Sequence, residues 1–113
     1  MRRDKPQRLA ENATMDLGEF RKFLSAKAPP AGLGKLLQAL WHEANGDWDR
    51  AHKLAQSQKG KVAAAVHAYL HRKEGNLSNA DYWYERAGRE RPKAALSKEW
   101  ESLVAECLCE AKD

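Results

Sequence analysis

The sequence predicts an all-α protein of five to six helices: two antiparallel helix pairs flanked by a capping helix at either end. Three observations carry this expectation. Strand formers are scarce, with three valines, one threonine and no isoleucine in 113 residues, whereas strands favour β-branched side chains. Apolar residues recur every three to four positions almost without a break, the signature of helices with one buried face. Finally, Pro29-Pro30, Gly46, Gly60, Gly75 and Pro92 punctuate that periodicity at helix-length intervals.

The elements follow in order. Leu17, Phe20, Phe23 and Leu24 form a first apolar stripe that ends before the proline pair. Leu33, Leu36, Leu37, Leu40, Trp41 and Ala44 mark a second helix, stopped by Gly46. Asp47 is placed to cap a third, through Trp48, Ala51, Leu54 and Ala55. A fourth helix runs from about Lys61 to Glu74. Its main face holds Val62, Ala65, Val66, Tyr69 and Leu70, and its opposite face Ala63, Ala64, His67, Ala68 and His71. A helix without a charged face is packed on both sides, so this one is expected at the centre. In Leu77-Ser78-Asn79-Ala80-Asp81, Ser78 reads as the cap of a fifth helix, Asp81 as its capping-box partner, and Leu77 with Tyr82 as a staple. The fifth helix then buries Ala80, Trp83, Tyr84 and Ala87. Leu96-Ser97 opens a sixth, with Trp100, Leu103, Val104, Cys107, Leu108 and Ala111 on one side.

Composition excludes several classes of function. Mean hydropathy is −0.81, and no stretch approaches the ~20 apolar residues of a membrane span. The basic start lacks the apolar segment of a secretory signal. Cys107 and Cys109 lie two apart on one helix and point away from each other, which predicts no bridge and a cytoplasmic setting. The net charge of +4 is uneven: residues 1–8 contribute +3, as Arg2, Arg3, Lys5 and Arg8 against Asp4, while residues 94–113 are acidic. Residues 1–8 are expected to form a loose basic arm and residues 9–113 a single helical domain. A basic arm on a mildly basic body permits an anionic partner without specifying nucleic acid.

The chain carries an internal repeat. Residues 41–58 and 70–87 align at a spacing of 29, with identities at His42/His71, Gly46/Gly75 and Ala51/Ala80 and the similar pair Asp47/Asn76. The pattern Gly75-x4-Ala80-x3-Tyr84-x2-Ala87-x4-Pro92 resembles the second half of a tetratricopeptide repeat, although the period is shorter than the ~34 residues of that family. The resemblance implies stacked helix pairs, the second and third helices forming one and the fourth and fifth the other. Over about 42–88, the longer string GDWDRAH…VHAYLHRKEGNLSNADYWYERAG is similar to a family of small bacterial proteins. That likeness implies no particular activity.

The histidines are the most suggestive chemistry. His67 and His71 stand at i, i+4 on one helix face, a spacing at which two imidazoles can reach one metal ion. His42 occupies the repeat position of His71, and His52 falls near the start of the third helix. No cysteine or carboxylate stands at ligand spacing beside them, and HAYLH lacks the glutamate of HExxH. They are therefore read as helix-packing histidines, with no metal and no cofactor. No glycine-rich phosphate loop, GxSxG or paired-carboxylate pattern occurs, so no enzyme is expected. Cys107 reads as a small buried hydrophobe and Cys109 as exposed.

Trp41, Trp48, Trp83 and Trp100 all fall on apolar faces and are read as core. Tyr82 shares its outer side with Glu85 and Arg86 and is a candidate contact residue. Arg72, Arg86, Arg89 and neighbouring cations collect near two helix C-termini, where they also suit the helix dipole. These observations favour a module binding a protein or peptide, as monomer or homodimer. His42, His67, His71 and Arg72 are expected to line a concave surface, with Tyr82, Arg86 and Arg89 on its flank. Two alternatives stay open: a small histidine-centred enzyme or metal protein, and a nucleic-acid accessory protein acting through the arm.

Overall fold

A computed structural model describes residues 15–111, so the basic arm expected at 1–8 lies outside the described residues. Among these the chain forms six α-helices and no strand: α1 (Leu17–Lys22), α2 (Lys35–Ala44), α3 (Trp48–Gln56), α4 (Lys61–Glu74), α5 (Leu77–Arg86) and α6 (Leu96–Ala111). The all-α expectation therefore holds, with the elements in the expected order. No described helix is long and apolar enough to cross a membrane.

Short turns fold α2 against α3, α3 against α4, and α4 against α5. α6 returns across α2 and α4, and α1 packs on α6. The core is built where α6 closes on the pairs: Phe20, Leu37, Leu40, Val66, Tyr69, Leu70, Trp100, Leu103, Val104 and Leu108 form one buried cluster. Trp100 fixes the register by donating from Nε1 to the Leu40 carbonyl at 3.1 Å. α4 is the central helix, as its lack of a charged face requires, and every residue from Ala63 to His71 is buried. Small side chains let neighbours approach on both sides: Ala51 and Ala55 of α3, Ala63, Ala65 and Ala68 of α4, and Ala80 of α5 are all buried.

The repeat is real in backbone geometry. Gly46 and Gly75 take φ of 88° and 91°, the left-handed conformation that glycine adopts without penalty. The N–H groups of Asp47 and Asn76 donate to the carbonyls of His42 and His71, both at 2.9 Å. Asp47 then accepts from the Arg50 amide at 3.1 Å and Asn76 from the Asn79 amide at 3.2 Å. Asn76, not Ser78, thus caps α5, because the turn delivers the residue after the glycine to the cap position in both copies. Ser78 lies inside the helix, Leu77 and Tyr82 are exposed and form no staple, and Asp81 pairs with Arg91 at 3.3 Å. Asn76→Ala should lower stability by about 1 kcal/mol, whereas Ser78→Ala should stay within about 0.5 kcal/mol. The midpoints of urea unfolding separate the two.

Other local expectations shift. The first stripe does not stay helical: α1 ends at Lys22 and a single 3-10 turn, Phe23–Ser25, follows. Phe20 is fully buried, but Phe23 turns outward and its carbonyl accepts the Trp41 Nε1–H at 2.8 Å. Trp41 and Trp100 are core residues, whereas Trp48 and Trp83 are only half-buried. Cys107 is buried and Cys109 exposed, both unbridged. Burial pushes the Cys107 thiol up to about 12, with Glu106 and Glu110 adding to the effect.

Candidate functional site

The half-buried tryptophans frame a polar cluster between helices on the side away from α6. In the turn from α3 to α4, residues equidistant from its middle face each other. His52 of α3 therefore meets His67 of α4, and Trp48 meets His71. The two Nε2 atoms of His52 and His67 stand 2.9 Å apart, one donating and one accepting. The imidazole rings of His52, His67 and His71 lie 4.6, 4.9 and 5.1 Å apart, centre to centre. Trp48 stacks on His52 at 4.9 Å, and Trp83 of α5 stacks on His67 at 4.0 Å. The indole of Trp48 is itself anchored, donating to the Leu70 carbonyl at 2.7 Å. His71 donates from Nδ1 to Glu74 at 2.7 Å.

Burial governs the electrostatics here. His67 is pushed down to about 4, first by desolvation and then by His52 and His71. His52 is lowered by desolvation and by His71, with Glu74 and Asp49 opposing. At neutral pH His67 is an uncharged imidazole, able to accept a proton or ligate through whichever ring nitrogen its tautomer leaves unprotonated.

The remaining sequence candidates are dispersed. His42 is half-buried at the end of α2, edge-on to Trp41, and takes no part in the cluster. It is lowered by burial and then by Arg50. Arg72 turns to the opposite side of α4, where it donates to Glu99 at 2.7 Å and to the Ala94 carbonyl at 2.6 Å. Arg89 forms a two-pronged pair with Glu106 of α6, at 3.2 and 2.9 Å, which raises its already high pKa. Tyr82 is 52% exposed. Arg86 covers its ring at 5.6 Å and that of Trp83 at 5.3 Å. The structure thus brings His67, His71, Tyr82 and Arg86 into one neighbourhood around Trp83, and leaves His42, Arg72 and Arg89 elsewhere. Of the residues expected to line a concave surface, His67 and His71 face α3, whereas Arg72 faces α6 through Glu99. His52 is the residue that sequence reasoning passed over, although its distance from the Gly60 turn matches that of His67.

A groove of about 600 Å³ opens where α3 ends, α4 begins and α5 ends. Ala55, Ala63, Ala64, His67 and Trp83 make its floor, and Lys59, Lys61 and Arg86 stand around it. Among the described residues no carboxylate lines it. A second depression of about 720 Å³, beyond α5, mixes Asp81, Glu85 and Glu90 with Arg89 and Arg91. Arg89 and Arg91 are already paired with Glu106 and Asp81 there.

Comparison of the chain with protein-family models, with curated proteins and with solved structures returns no match.

Proposed function

We propose that this protein is an interaction module of paired helices, stacked in a tetratricopeptide-like manner, that receives an acidic peptide segment in the groove between α3, α4 and α5. The observation that supports it is the convergence of Lys59, Lys61 and Arg86 on a floor of alanines, His67 and Trp83, with no carboxylate lining it among the described residues. Among the described residues none of these three cations is in an ion pair. Lys59 and Lys61 can turn toward an incoming carboxylate without breaking an ion pair, and Arg86 gives up only its contacts with the Tyr82 and Trp83 rings. Arg72 and Arg89, by contrast, are already paired with Glu99 and Glu106. The alanines allow an extended chain to approach closely, and Trp83, stacked on His67, adds apolar surface to the floor once Arg86 turns from its ring toward the peptide. A cytoplasmic setting belongs to this reading and agrees with two unbridged cysteines.

The test is anisotropy titration of a fluorescein-labelled hexaglutamate peptide into the full chain at low salt with EDTA present. Saturable binding should weaken at least tenfold in the Lys59→Glu, Arg86→Glu double variant, and should fall with added salt. Binding that survives the double variant but disappears when residues 1–8 are deleted would move the function to the arm. A chain that binds no acidic peptide under these conditions would defeat the reading.

A further inference from the structure

The peptide-binding reading uses His67 only as part of the groove floor and leaves His52 and His71 without a role. Packing alone does not account for them. Three imidazoles in mutual contact oppose one another's protonation, and apolar rings would fill the same volume without that opposition. Only one hydrogen bond, that between His52 and His67, is satisfied within the trio. From this arrangement we infer that His52, His67 and His71 form a binding site for a zinc-class divalent transition-metal ion.

The geometry comes within a small side-chain adjustment of what such an ion demands. One nitrogen from each ring lies within 4.8 Å of the others. Tetrahedral zinc with Zn–N bonds of 2.0–2.1 Å requires ligand nitrogens about 3.3 Å apart. The 2.9 Å separation of His52 and His67 has to open by a few tenths of an ångström, and the widest separation in the trio, as much as 4.8 Å, has to close by about 1.5 Å. Donation from His71 Nδ1 to Glu74 leaves the lone pair on Nε2, the carboxylate–histidine arrangement that orients imidazole ligands and strengthens them. The proton shared between His52 and His67 moves to Nδ1 of the donating ring, so that both present Nε2 lone pairs while staying neutral. The rings are also held in place before any ion arrives, His52 by Trp48 and His67 by Trp83. Rigid rings lose little conformational freedom on binding, which favours affinity. Imidazole-rich sites select zinc, copper, nickel and iron over magnesium and calcium. Three protein ligands leave a fourth position for water.

The experiment is calorimetric titration of Zn²⁺ into the untagged, chelator-stripped full chain, with Co²⁺ absorption as an independent report on coordination. One ion per chain is expected. His52→Gln and His71→Gln should each weaken it by more than about 100-fold, beyond what losing an outer partner costs, and Glu74→Gln by about 10–100-fold. His42→Gln and Cys109→Ser should leave it unchanged. Imidazole ¹⁵N shifts of the wild-type chain need no variant: on adding zinc, Nε2 of His52, His67 and His71 should move together. Absence of stoichiometric binding by the folded wild type overturns the site. Binding that leaves these three nitrogens unmoved, or that Cys109→Ser removes, overturns it equally. EDTA in the peptide titration keeps the two results independent.

Discussion

Replacing Glu99 by alanine is expected to cost about 3–5 kcal/mol, a large part of the about 5–15 kcal/mol that holds a domain folded. Glu99 is 6% exposed and sits at the start of α6, where it accepts from Arg72 at 2.7 Å and from the Tyr84 hydroxyl at 2.5 Å. It therefore ties α4, α5 and α6 together at one point. Its removal leaves a mostly buried guanidinium with only the Ala94 carbonyl, and the fully buried Tyr84 hydroxyl without an acceptor. Uncompensated charge, rather than lost attraction, accounts for most of the cost. The double variant Arg72→Met, Glu99→Leu removes both charges and refills the volume, so it should be far less destabilised than Glu99→Ala. Urea unfolding of the two single variants and the double reads the coupling. A loss below 1 kcal/mol in Glu99→Ala would mean that water reaches the pair.

A related network stands beside it on α4, where buried Glu43 accepts from Tyr69 at 2.9 Å and pairs with Lys73. Burial, followed by the adjoining carboxylate, raises both Tyr69 and Tyr84 well above the usual phenol range, so each stays a hydrogen-bond donor at any physiological pH. Neither glutamate was visible as a core residue in the sequence. Glu43 and Glu99 sit among apolar residues at helical spacing, but burial of a carboxylate depends on partners from other helices, and no spacing rule supplies those. What periodicity did reveal was the element order, the central place of α4 and the glycine turns. The Asp47/Asn76 alignment contained the true cap of α5, yet the local Ser78–Asp81 pattern was the more familiar signal and pointed two residues too far. The site was half legible. The i, i+4 spacing placed His67 and His71 on one face, but it pointed to His42 as their partner because the repeat aligns His42 with His71. Repeat equivalence shares backbone roles, and both carbonyls do accept the cap N–H. Side-chain meeting is instead set by distance from a turn, which selects His52.

The stability of the metal-free chain should fall steeply as the pH drops from about 6.5 toward 4. His67 in the fold takes up a proton only near 4, because burial and then its neighbours His52 and His71 disfavour the charged ring. In the unfolded chain the same ring protonates near 6.5. Between these values the unfolded state binds more protons, so unfolding gains free energy as acid is added; above about 6.5 the two states bind equally and the effect disappears. His67 alone should cost about 2 kcal/mol at pH 5 and about 3 kcal/mol once the pH is below 4. The groups around it act in the same direction or oppose it weakly. His52, from α3, is itself lowered; Glu74 and Asp49 are the carboxylates that resist that lowering, and from α5 the ring is faced by Trp83, with Arg86 over the indole. Carboxylates titrate mainly below pH 5, so unfolding free energies compared at pH 7.5 and pH 5 in EDTA isolate the histidines. His67→Phe keeps a flat ring against Trp83 and cannot take a proton; its stability should depend much less on pH over that interval. A wild-type stability that is level from pH 7.5 to 5 would show that His67 charges as readily inside the fold as outside it, and would require water to reach the cluster.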